Sequence, residues 1–118
     1  MNIFTIVFAV LVALEFFFIM YLETVATTSA KTAAVFGMEV ADLQNKNVQN
    51  LFKNQGIYNG LLGLGILYSV FVAVSIPMLA MILIYIICVA LYGAFTVDKS
   101  IILKQGGLAI LVLVSLVL

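Results

Sequence analysis

The run IFTIVFAVLVALEFFFIMYL, from Ile3 to Leu22, decides the fold class. It is twenty residues long and Glu15 is its only charged side chain. A hydrocarbon slab about 30 Å thick needs about 20 mostly apolar residues in a helix, so this stretch is long enough to cross a bilayer. A cleaved signal peptide would place a positive region ahead of a shorter apolar run. No Lys or Arg precedes Ile3, so the stretch is expected to be a retained span.

Working outward, three more stretches have the same character: Leu51 to Ser75, Pro77 to Thr96, and Ser100 to Leu118. Pro77 suits a first helical position. The expected helices cover about 2–35, 49–75, 77–96 and 99–117, forming one transmembrane domain over 1–118. The predicted fold class is all-α, an integral membrane four-helix bundle.

Composition supports this. Of 118 residues, 66 % are hydrophobic and 8 % charged, against about 45–50 % and about 25 % in a soluble domain. That balance excludes a soluble enzyme, a disordered chain and, with a net charge of zero, a nucleic-acid binder. There is no His and one Cys, Cys88. Neither a disulfide nor a metal centre is expected, no cofactor is implied, and the usual catalytic base near neutral pH is missing. Cys88 reads as a small core residue.

The five positive charges are all lysines. Lys31, Lys46 and Lys53 lie in or beside the loop after the first span, while Lys99 and Lys104 flank the loop after the third. They fall on one face, which the positive-inside rule makes the cytoplasm, leaving both termini outside. The expected location is a bacterial cytoplasmic membrane, crossed several times.

The polar stretch Thr24 to Asn50 separates the first two spans. With no helix breaker before Gly37, the first helix is expected to continue to about residue 35. Gly37 is expected to cap it, and a short interfacial helix to follow. Lys53-Asn54-Gln55-Gly56 and Lys104-Gln105-Gly106-Gly107 echo each other, as two helical hairpins in parallel repeat would.

Glu15 is the least expected residue. It lies eight residues before Glu23, about 12 Å deeper along a helix. Charge at that depth costs several kcal/mol, and such a residue usually faces a bundle interior. Glu15 is thus a candidate proton or ligand site, or else a neutral interhelical hydrogen-bonding group. Glu23, at the interface, is expected to pair with Lys53 or Lys104. The second span opens with Asn54, Gln55, Tyr58 and Asn59, beside Gly56, Gly60 and Gly63. That glycine spacing suits close helix packing, and the amides suit either cross-helix bonding or contact with a polar ligand. The third span carries Met81, Tyr85, Cys88, Tyr92 and Thr96 along one line, either a packing seam or a site. Tyr85 is placed to donate to Glu15.

These motifs resemble a family. Leu14-Glu15 to Leu22-Glu23, Val35-Phe36-Gly37, Asn54-Gln55-Gly56-Ile57-Tyr58-Asn59-Gly60, Gly93-Ala94-Phe95-Thr96 and Gln105-Gly106 are similar to the bacterial membrane proteins of domain-of-unknown-function family thirteen-oh-four. The likeness spans nearly the whole chain and implies a four-helix membrane protein with no established activity. It marks Glu15, Glu23, Asn54, Gln55, Tyr58, Asn59, Thr96 and Gln105 as shared polar positions. Two departures stand out: Phe16 where the family often has His, and no Pro near Leu108. The first removes the partner for a Glu–His acid–base or metal role.

The function expected is binding or translocation of a small or lipophilic solute, with Glu15 as the protonatable group. The lipid bilayer is one expected partner, and a second copy or another membrane protein is the other. The alternatives are a non-catalytic partner subunit or assembly factor, docked through Gly56, Gly60 and Gly63, and a membrane enzyme using Glu and Tyr.

Overall fold

The computed structural model describes residues 1–118 and is entirely helical. Its helices are α1 (Ile3–Thr24), α2 (Ala30–Phe36), α3 (Lys46–Leu67), α4 (Ile76–Thr96) and α5 (Ile101–Ser115). A 3₁₀ turn over Val40–Gln44 precedes α3, and a π turn over Tyr68–Val72 extends it. Three segments are long and apolar enough to cross a membrane: α1, Lys46–Val72 and α4. The fourth apolar helix, α5, has 15 residues, about 22 Å at the helical rise.

Helix ends follow local hydrogen bonding. Asn2 Oδ1 accepts from the Thr5 amide at 2.8 Å, capping α1. At its other end α1 stops at Thr24 instead of running to residue 35. Neither Gly nor Pro causes this break. The cause is a cluster of hydroxyls that bond the backbone and compete with the helical ladder. Thr24 Oγ1 donates to the Met20 carbonyl (2.6 Å) and Thr27 Oγ1 to the Glu23 carbonyl (2.8 Å). Ser29 then caps α2 by accepting from the Thr32 amide. Gly37 ends α2 at φ 65°, and the Met38 amide reaches back to the Ala33 carbonyl at 2.9 Å. That is the expected glycine cap, a left-handed residue closing the last turn. The short helix expected after it is the 3₁₀ turn, closed by a capping box between Glu39 and Asp42. Asn45 Oδ1 accepts from Asn47 and Val48, so α3 begins a few residues earlier than its apolar pattern suggests.

The chain divides into two compact units. In the unit formed by Met1–Ala13 and Leu64–Leu118, α4 packs on α5. Leu79, Leu83, Ile86 and Ala90 form the buried stripe of α4, and Gly106, Ala109 and Val112 that of α5. Small residues let the two backbones approach: a Cβ on Gly106 would lie 3.3 Å from that of Ala90. In the same unit Ser69 Oγ bonds the Gly65 carbonyl at 2.7 Å, where the ladder widens into the π turn. The turn into α4 puts Val74 at φ 46°, and Ser75 caps α4 with Pro77 in its first turn. Beyond α4, Asp98 accepts from the Ser100 amide at 3.0 Å. That bond holds its carboxyl below the usual Asp range.

In the other unit, Leu14–Gly63, the end of α1 lies against the start of α3. A Cβ on Gly56 would meet Thr24 Cγ2 at 2.6 Å and Glu23 Cβ at 3.1 Å, and one on Gly60 would overlap Met20 Sδ. Phe36 of α2 packs on Phe52 of α3, with ring centroids 5.1 Å apart.

Candidate functional site

The close approach at Gly56 sets up the polar centre of this unit. Gln55 and Asn59 are one helical turn apart, so their side chains leave the same face of α3. Glu23 projects from the last turn of α1 and is fully buried, at 0 % exposure. Gln55 Nε2 donates to Glu23 Oε2 at 2.6 Å, and Asn59 Nδ2 donates to Glu23 Oε1 at 2.6 Å. Both are short for N–H···O hydrogen bonds.

This corrects the expectation for Glu23. Its two oxygens are taken by amides and not by Lys53 or Lys104, which are exposed. A lysine brought this far under cover would lose the hydration of its charge, whereas an amide has no charge to desolvate. The glycines expected to serve packing do so at Gly56 and Gly60, and Gly63 is buried as well. Gly56 and Gly60 are covered by α1 of the same chain.

Glu15 belongs to the same unit, two helical turns before Glu23. It is half-buried, and its Oε1 is buried with no hydrogen-bond partner. The chain thus holds two intrahelical acids in unlike settings, one with a donor on each oxygen and one lacking donors.

The other predicted residues are scattered. Asn54 and Tyr58 are exposed and Gln105 is half-buried. Tyr85 and Tyr92 are 55 % and 72 % exposed, Cys88 is exposed, and Thr96 bonds the Tyr92 carbonyl of its own helix. The line Met81–Tyr85–Cys88–Tyr92 is therefore the outer face of α4, and Cys88 is not a core residue. α4 turns its aliphatic stripe inward because that face is smooth enough to pack on Gly106 and Ala109, which bulky phenols would hold off.

Two buried hydroxyl contacts escaped the sequence reading. Thr5 Oγ1 and Ser115 Oγ lie 2.7 Å apart. Thr32 Oγ1 donates to the carbonyls of Ala26 (2.7 Å) and Leu22 (3.2 Å), tying α2 back to the end of α1. Isolated Thr and Ser residues in apolar runs were the only signal, and many such residues bond nothing but their own helix.

The family model for "protein of unknown function (DUF1304)" matches residues 10–117. The chain belongs to this DUF1304 family. It is also similar to the uncharacterized protein YpaA of Lactococcus lactis subsp. lactis (strain IL1403), with 58 % identity over 116 residues, covering 98 % of each chain. No solved structure matches it. The matched region holds Glu15, Glu23, Gln55 and Asn59, so both acids and both amides lie within the family's extent.

Proposed function

We propose that this DUF1304 protein is a multi-pass protein of the bacterial cytoplasmic membrane that binds or translocates a small or lipophilic solute, with Glu15 as the group that exchanges a proton. The observation that carries the reading is Glu15 Oε1, buried and without a donor. An acceptor left unpaired costs about 1–3 kcal/mol, more when charged, and a proton or a ligand donor would recover that cost. Gln55 and Asn59 are engaged by Glu23. Of the two uses open to these amides, cross-helix bonding takes Gln55 and Asn59, and the polar part of the solute site rests on Glu15.

In this reading α5 is the fourth span, short for its task, with Lys104 near its start reaching toward water. The four helices form a bundle with both termini outside. Supporting a shared face for the ends, Thr5 near the start of α1 bonds Ser115 at the end of α5. The partner-subunit alternative rests on Gly56, Gly60 and Gly63, and Thr24 and Met20 of the same chain lie against the first two.

The test is proton flux in proteoliposomes carrying a pH-sensitive dye, comparing the parent with Glu15→Gln. The substitution keeps size and removes the exchangeable proton. Flux is expected to fall to the level of empty vesicles. Parent-like flux in Glu15→Gln, or no flux above empty vesicles in the parent, would sink the proposal.

A further inference from the structure

We propose that Glu23, Gln55 and Asn59 form a latch between α1 and α3 that stays closed in either protonation state of the acid, because the amides can turn over. Glu23 has 0 % exposure, and each of its oxygens is met by one amide at 2.6 Å. Ionised, it offers acceptors only, and both amides approach it through their NH₂ groups. A proton added at Oε1 turns that oxygen into a donor. Asn59 then rotates its amide by half a turn and accepts the O–H on its carbonyl oxygen, while Gln55 continues to donate to Oε2. The proton stays on the carboxyl, and two hydrogen bonds cross between the helices before and after. A lysine in place of Asn59 could only donate, so it could not accept the O–H of the protonated acid.

The surroundings leave this response to the amides. The charged groups on the elements packed here, Lys46 and Lys53 of α3 and Lys31 of α2, are exposed, and Tyr58 of α3 is 64 % exposed. On α1 itself the other acid is Glu15, two turns away. The helix end from which Glu23 projects is fixed independently. Thr27 Oγ1 holds the Glu23 carbonyl, and Thr32 Oγ1 holds that of Leu22. The Gly56 approach keeps the two helices close enough for short amides to reach. Changes of proton occupancy at Glu23 therefore leave the helix pair in place. The latch stands on Glu23 alone and does not depend on the role of Glu15.

The experiment is thermal unfolding of the full chain in detergent micelles, from about pH 5 to about pH 8, a range free of histidine titration in this chain. Glu23→Gln offers one carbonyl and one NH₂, which one turned amide can match, and its midpoint is expected to follow the parent's across the range. Glu23→Leu is expected to lower the midpoint at every pH. Asn59→Asp sets a second carboxyl against the first. Two facing carboxyls need a shared proton, so this variant is expected to melt close to the parent at the acid end and well below it at the alkaline end. The proposal is overturned if Glu23→Gln loses as much as Glu23→Leu, which would mean that the charge itself is required. A pH-independent Asn59→Asp would overturn it too. Should Glu23→Leu fail to fold, Glu23→Gln against the parent and Asn59→Asp across pH still decide.

Discussion

Thr5 and Ser115, 110 positions apart in the chain, bring their hydroxyls to 2.7 Å of each other, both buried. With one proton on each hydroxyl, Ser115 Oγ donates to the Val112 carbonyl and Thr5 Oγ1 donates to Ser115 Oγ, while the Thr5 amide donates to Asn2 Oδ1. The contact therefore joins two helix ends that are already ordered, and little rotamer entropy is lost in making it. Outside water, an unmatched hydroxyl in an apolar contact has few other partners.

A double-mutant cycle measures what this pair contributes. Thr5→Val and Ser115→Ala each remove one partner at nearly constant volume and are expected to cost about 1 kcal/mol, within the range for interhelical hydrogen bonds in membranes. Because they share one bond, their costs should not add: the double variant should fall short of the sum by about 0.6 kcal/mol or more. Strict additivity of the unfolding free energies in micelles would contradict the pairing.

Gly56 and Gly60 should respond differently to alanine. At Gly56 a methyl group meets Thr24 Cγ2 at 2.6 Å, on a β-branched side chain held by its own bond to Met20, with Glu23 Cβ at 3.1 Å behind it. At Gly60 the obstacle is the Met20 thioether, and an unbranched side chain can swing aside. Overpacking costs about 1–3 kcal/mol, against a helical gain of about 1 kcal/mol for replacing Gly by Ala. Gly56→Ala is thus expected to destabilise by up to about 2 kcal/mol, while Gly60→Ala stays near the parent. Thermal midpoints of the two variants side by side check the order, and the reverse order would refute this account of the contact.

Val74 sits at φ 46° and is exposed, in the turn between the π segment and α4. A β-branched residue in the left-handed region is under strain, whereas Asn tolerates that conformation. Val74→Asn is expected to raise the unfolding free energy by about 1 kcal/mol, and Val74→Ile to leave it unchanged. A fall in the midpoint of Val74→Asn would show that the Val74 side chain contributes more through its contacts than its backbone loses.

Much of the fold was legible because it rests on local rules. The α1, α3 and α4 spans follow from apolar runs of sufficient length. The cap at Gly37 follows from the one residue in its neighbourhood that accepts a positive φ. The Asn54–Gly60 motif marked the right face of α3. Its partner is hidden, because opposite charge points to lysine while the choice between lysine and amide depends on which side chain can reach Glu23 without losing its solvation. The break after Thr24 was also hidden, since it comes from hydroxyls bonding carbonyls rather than from Gly or Pro. On α4 the line through Met81, Tyr85, Cys88 and Tyr92 reads as a packing seam or a site, but it is the stripe through Leu79, Leu83, Ile86 and Ala90 that is buried, against the glycine and alanine of α5.

The sequence by itself determined that the chain is helical and rich in segments able to cross a membrane, that its positive charges cluster near two loops, and that Glu15 stands alone within an apolar run. These depend on composition and spacing, which no packing can alter. Only the tertiary structure decided that Glu23 is closed over by Gln55 and Asn59, that Tyr85 and Cys88 face outward, and that Thr5 finds Ser115. Each of those outcomes is a competition among distant groups for one position. Such contests are settled by fractions of an ångström and by desolvation, and neither is written in the order of the residues.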